Sequence, residues 1–131
     1  MQYAWTIVYV RDVAASLAFW ETAFGLSRRF ISDDGDYGEL ETGGTTIAFA
    51  DVSIAVNHGI GIELIRPEGR AVGVELALTT DDVATAFARA VAAGAIPVKE
   101  PVAMPWGQTV SYVRDPNGVL VEVCTPVDTS G

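Results

Sequence analysis

The chain has 131 residues, half of them apolar, with a mean hydropathy of +0.30. That is enough to bury one core of ordinary size, yet no run of about 18 apolar residues exists to span a bilayer, so a membrane role is not expected. A net charge of −9 argues against nucleic acid as a partner and mildly favours cationic ligands.

The first residues, MQYAWTIVYVRD, lack the basic and apolar segments of a secretory leader. With the single cysteine, Cys124, they point to a reducing, cytoplasmic location.

Tyr3–Val10 is dense in aromatic and β-branched residues and predicts a strand, with Tyr3, Trp5, Ile7 and Tyr9 on one face. Asp12 then caps a helix whose apolar stripe is Val13, Leu17, Trp20 and Phe24, and Gly25 stops it. Leu26–Ile31 and Tyr37–Thr42 predict strands around the turn Asp33-Asp34-Gly35-Asp36. Gly43-Gly44 makes a tight hairpin into a further strand, Thr45–Ala50. Residues 51–70 read as a connector, in which Ile60–Ile65 alternates weakly enough to suggest one more strand. Ala71–Thr79 restarts the pattern as a strand. A helix capped by Asp81 or Asp82 follows, with Val83, Phe87, Ala90 and Val91 inward and Gly94 at its end. Then come a strand at Ala95–Lys99 and a loop at Glu100–Gly107.

The chain closes on a hairpin. Gln108–Arg114 and Val119–Thr125 flank Asp115-Pro116-Asn117-Gly118, whose Asp, Pro and Gly suit the first, second and fourth positions of a type I turn. On the last strand Val119, Val121 and Val123 share one face, and Leu120, Glu122 and Cys124 the other. A mid-strand carboxylate must reach water, find a partner or keep its proton.

Both halves therefore read β-α-β-β-β. Asp12-Val13-Ala14-Ala15 answers Asp82-Val83-Ala84-Thr85, 70 positions on, and a repeat of this kind organises the whole chain. The same offset carries Trp5 onto Glu75, and pairing the final strands of the two halves sets Ala48 against Glu122. Trp5, Ala48, Glu75 and Glu122 are then expected on the sheet faces turned away from the helices.

These segments, YVRDVAASLAFWETAFGL, TDDVATAFARAVAAGA and PWGQTVSYVRDPNGVLVEV, resemble the vicinal oxygen chelate superfamily. It holds glyoxalase I, extradiol dioxygenases, fosfomycin-modifying enzymes and bleomycin-type resistance proteins. The resemblance implies an α+β fold of two tandem βαβββ modules curling into a half-open cup, completed in a homodimer. Residues 1–131 are then one such domain, with module one at about 1–50, the connector at 51–70 and module two at about 71–126. Metal-dependent members draw ligands from mid-strand positions, which carry over here onto Trp5, Ala48, Glu75 and Glu122. Trp and Ala cannot ligate, and two carboxylates fall short of the three ligands a catalytic divalent ion takes. His58, in the connector, and Cys124, at a strand end, are poorly placed to help.

Neither a nucleophile constellation nor a phosphate-binding glycine loop is present. The expected site is a small-molecule pocket of Tyr3, Trp5, Tyr9, Ala48, Glu75, Trp106, Gln108, Tyr112 and Glu122. Its ligand is expected to be a planar aromatic, amine-bearing compound such as an antibiotic, bound without a cofactor as in the resistance-protein branch. The alternative is a lyase, isomerase or dioxygenase whose divalent metal uses Glu75 and Glu122.

Overall fold

The computed structural model describes residues 1–127 as two compact units, Met1–Ile65 and the chain from Arg66 onward. Each contains the element order β-α-β-β-β, so the α+β fold of two tandem βαβββ modules is present.

In the first unit β1 (Trp5–Val10) leads through α1 (Val13–Phe24) to β2 (Ser27–Ile31), β3 (Tyr37–Glu41) and β4 (Thr46–Asp51). The sheet order is β1-β4-β3-β2, with β1 parallel to β4 and the rest antiparallel. Asp12 caps α1 through Oδ1, which accepts from the Ala15 amide at 3.0 Å, and Gly25 ends it at φ 70°. The predicted stripe is the buried one. Leu17 and Trp20 are fully buried, and Trp20 packs against Phe24 and Phe49 with ring centroids 4.8 and 5.6 Å away. Val8 and Val10 join this core from β1, which turns Trp5, Ile7 and Tyr9 to the opposite face.

The connector differs from expectation. Residues 52–57 form a short helix, α2 (Val52–Asn57), and residues 60–65 form no strand. Asp51 caps α2 by accepting from the Ser53 amide at 2.9 Å, so a local cap overrides the strand preference of Val52, Ile54 and Val56.

The second unit repeats the plan with β5 (Glu75–Thr79), α3 (Val83–Ala92), β6 (Ile96–Ala103), β7 (Thr109–Arg114) and β8 (Leu120–Cys124), in the order β5-β8-β7-β6. Asp82 is the cap, with Oδ1 accepting from the Thr85 amide at 3.1 Å. β6 reaches Ala103, well past the expected end at Lys99. Its two prolines, Pro97 and Pro101, are tolerated because β6 is an edge strand whose register shifts on either side of Lys99.

The tetrapeptide Tyr-Val-Arg-Asp occurs twice with different duties. At 9–12 its Asp caps a helix and Arg11 is exposed. At 112–115 the Asp is fully buried and organises the β7–β8 turn, its Oδ1 accepting from the amides of Asn117 and Val119, both at 2.9 Å. Arg114 there is buried and donates to three carbonyls: Gly118 at 3.0 Å, Gly69 at 2.7 Å and Arg66 at 2.8 Å. This ties the segment entering the unit to its closing turn, and a buried guanidinium so placed has its charge solvated by backbone dipoles.

Candidate functional site

The strand registers place the key residues. In the first sheet Ile7 pairs with Ala48, two residues after Trp5; in the second Ala77 pairs with Glu122, two residues after Glu75. Trp5 and Glu75 thus occupy equivalent positions, as do Ala48 and Glu122.

On the second unit's sheet, Glu122 of β8 pairs with Ala77, two residues after Glu75 of β5, so the two carboxylates share one face of adjacent strands. Burial and then the Glu122 hydrogen bond and charge raise the Glu75 pKa above the usual glutamate value. Tyr112 of β7 pairs across to Glu122, and burial with the two carboxylate charges pushes its hydroxyl up as well. Burial and the Glu122 charge raise the Cys124 thiol to about 11, so it stays protonated and unreactive at neutral pH. Among the described residues no ion pair neutralises Glu75 or Glu122, whereas in the first unit Arg28 pairs with Glu21 and Arg29 with Glu39 and Glu41. Gln108 precedes β7. Its amide nitrogen donates to the Thr125 carbonyl at 2.8 Å and its oxygen accepts from the Trp106 indole at 2.9 Å. Trp106 is 64% exposed on the turn between β6 and β7, its ring held by that one bond.

The first unit's corresponding face is built differently. Ala48 is fully buried and forms its floor, Tyr9 is half-buried beside it, and Trp5 is 53% exposed. Tyr3 lies ahead of β1, exposed, its hydroxyl bonded to that of Thr6. The Trp5 indole donates at 3.1 Å to Oε2 of Glu39, a β3 residue paired with Ala48. The same oxygen accepts from the Tyr37 hydroxyl at 2.6 Å, while Oε1 accepts from Arg29 at 3.2 Å. Burial, then the hydrogen bond and charge of Glu39, raise the Tyr37 pKa far above its ordinary value. Arg29 sits at a register shift in β2, an extra residue that turns its guanidinium to Glu39, Glu41 and Thr46. Its neighbour Arg28 instead pairs with Glu21 on α1 at 2.8 Å. Sequence reasoning did not single out Glu39. In Tyr-Gly-Glu-Leu-Glu it looks like an outward glutamate, and only its register opposite Ala48 marks it.

The fold, its order repeated in both units, has known counterparts. The profile of the Glyoxalase/Bleomycin resistance protein/Dioxygenase superfamily matches residues 2–123. The chain belongs to this superfamily. A glyoxalase-related enzyme from Fulvimarina pelagi superposes with a TM-score of 0.79 at 25% identity, over 96% of this chain and 88% of its own. A protein of unknown function from Agrobacterium tumefaciens gives 0.76 at 26% identity, over 96% and 94%. A superfamily enzyme from Burkholderia phytofirmans gives 0.78 over 93% and 96%, but at 20% identity it speaks for the fold alone. No curated protein matches the chain significantly.

The resemblance carries the ligand positions of metal-dependent members onto Trp5, Ala48, Glu75 and Glu122. The donor set does not fit a catalytic ion. The Trp5 nitrogen is a donor committed to Glu39, Ala48 has no ligating atom, and Glu75 and Glu122 are two carboxylates without a third ligand in their unit. Among the described residues no group of three His, Cys, Asp or Glu side chains is arranged to hold a metal. No helix of residues 1–127 is long and apolar enough to cross a membrane.

Proposed function

We propose that this chain is a small-molecule binding protein of the superfamily, one that sequesters a planar, cationic aromatic compound such as an antibiotic and needs no metal to do so. The observation that carries this reading is the Glu75–Glu122 pair, two carboxylates without a cation on one sheet face. An amine or amidine placed between them would donate hydrogen bonds to both and neutralise their repulsion. Trp106, held at the rim by Gln108, supplies a ring to stack on a planar body, and Tyr112 lines the face next to Glu122. The buried, protonated Cys124 suits a reducing compartment, and we assign the protein to the cytoplasm on that ground.

Calorimetric titration with proflavine, a planar cation, and acridone, a neutral ring system of similar size, tests the proposal. Proflavine is expected to bind at least tenfold more tightly. Equal affinities would sink the cationic reading, and a stoichiometric divalent metal in the purified protein would favour the enzymatic one.

The functional form is proposed to be a homodimer. Ile96, Val98 and Val102 stand exposed on β6, an edge strand with unpaired backbone groups, and a second copy would cover both. Sedimentation at micromolar concentration is expected to show the dimer; a monomer alone would remove this part of the reading.

A further inference from the structure

The edge strands of the two units carry the same irregularity. In the first unit Arg28 pairs with Leu40 and Phe30 with Glu39, which leaves Arg29 as an extra residue. In the second Pro97 pairs with Val113 and Lys99 with Tyr112, and the extra residue is Val98. A bulge of this kind re-aims the side chains beside it. Strict alternation from Ile96, which pairs with Arg114, would put Lys99 on the face of Val113. The bulge instead sets it opposite Tyr112, on the face that carries Glu75 and Glu122. Lys99, Tyr112 and Glu122 then form one row across three neighbouring strands, the outer two about 10 Å apart.

The two units part in what meets the cation. Arg29 is held by Glu39 at 3.2 Å and by Glu41 at 2.9 Å. The ladders make Tyr112 the counterpart of Glu39 and Arg114 the counterpart of Glu41, so the second unit lacks both acids. Among the described residues no ion pair reaches Lys99, which is exposed and is the only lysine of the chain. Arg114, the other cation on that face, commits all three of its nitrogens to backbone carbonyls.

We infer that Lys99 is a specificity-determining residue of this face, one that takes the acidic group of a ligand whose amine or amidine lies between Glu75 and Glu122. The inference rests on the carboxylate-pair reading of the face and narrows its ligand to a zwitterion. That ligand is a planar body with a cationic group at one end and a carboxylate, sulfonate or phosphate about two strand spacings, ~10 Å, away. Charge favours this class. A net charge of −9 repels an anion at long range, but a zwitterion carries no net charge and meets each local charge at close quarters. Tyr112, between the two ends of the row, offers its ring to the planar body. A lysine also suits an edge strand, because its apolar stem lies along the sheet while the ammonium stays in water until an anion arrives.

The probes are 4′-amidinobiphenyl-4-carboxylate, whose two charges stand at that separation, and its carboxamide, which keeps the amidinium alone. Both are titrated into the full chain by calorimetry at low salt. The carboxylate is expected to bind about two- to fivefold more tightly, the range for an exposed ion pair, and added salt should erase the difference. Lys99→Gln should remove the preference and leave the carboxamide's affinity unchanged, whereas Lys99→Arg should keep it. Because the chain has one lysine, isotope-labelled lysine reports on Lys99 alone. Its side-chain resonances should move with the carboxylate and stay in place with the carboxamide. Sedimentation of Lys99→Gln should match the parent, which separates a ligand subsite from a contact between copies. Equal binding of the two probes, a preference that survives Lys99→Gln, or a preference lost together with the parent's sedimentation profile would overturn the inference. The two proposals fail separately. The carboxylate pair is read by the carboxamide probe against biphenyl-4-carboxamide, which lacks the amidinium, and equal affinities there sink the pair. A preference for the amidinium with none for the carboxylate sinks only the role of Lys99.

Discussion

Gly118→Ala is expected to destabilise the second unit by about 3–5 kcal/mol, a large share of the roughly 5–15 kcal/mol that holds an ordinary domain folded. Gly118 sits at φ 99°, outside the region L-residues favour, and a Cβ built there lies 2.1 Å from the Arg66 carbonyl oxygen and 2.4 Å from its carbon. That carbonyl cannot step aside freely. It accepts from the Arg114 guanidinium, which also holds the carbonyls of Gly69 and of Gly118 itself. Moving any one of the three leaves a buried charge short of partners. Gly107 provides the control, because its φ is 98° and nothing lies within 4 Å of its would-be Cβ. Gly107→Ala should therefore show the backbone strain alone, about 1–2 kcal/mol. Urea titration of both variants separates the two contributions. Equal losses would mean that the segment at Arg66 yields without cost and that Arg114 is not a lock.

This lock was only half legible in the sequence. Asp115-Pro116-Asn117-Gly118 announces a turn by residue type, and the structure has one, but nothing local says that residues 66–69 lie against it. The repeat, by contrast, was legible because each half carries its own local signals: Asp12 and Asp82 as caps, apolar spacing along each helix, and alternation in the strands. The misreadings have physical causes. Pro101 lies in the stretch past Lys99 that reads as a loop, although an edge strand spares its missing N–H group. The β-branched run Val52–Val56 hid α2, which begins on the Asp51 cap.

The candidate site was legible where the repeat could be used as a ruler. It related Trp5 to Glu75 and Ala48 to Glu122, and the strand registers agree. It could not reveal Glu39, because the equivalent position in the second unit is Tyr112, a residue of different chemistry. The Arg29 bulge was equally hidden, since an extra residue in a strand leaves no mark in periodicity.

Glu122→Gln is expected to weaken proflavine by about 1–3 kcal/mol and to leave acridone nearly unaffected, the range for a hydrogen bond to a charged group. The pH dependence follows from the direction of the Glu75 shift. Burial and the neighbouring Glu122 raise its pKa, so Glu75 keeps a proton to higher pH than a solvated glutamate. A bound cation favours the ionised pair. Below the raised pKa, binding must therefore expel a proton, and affinity should strengthen as pH rises through it and then level off. The free protein has the opposite dependence. A carboxyl whose folded pKa is raised adds stability that is fully present below its unfolded pKa and is lost as pH rises through the folded one. Glu75→Gln should flatten that part of the stability profile. The other groups facing the pair do not interfere below neutral pH, because Tyr112 and Cys124 are themselves shifted upward and remain protonated. Calorimetry in two buffers of different ionisation enthalpy, on the parent and on Glu122→Gln, reads proton release and affinity together. In the variant the release should shrink, since the Glu122 charge no longer adds to burial in raising Glu75. Identical affinities with no proton release would mean that Glu122 is only a solvated side chain on a strand.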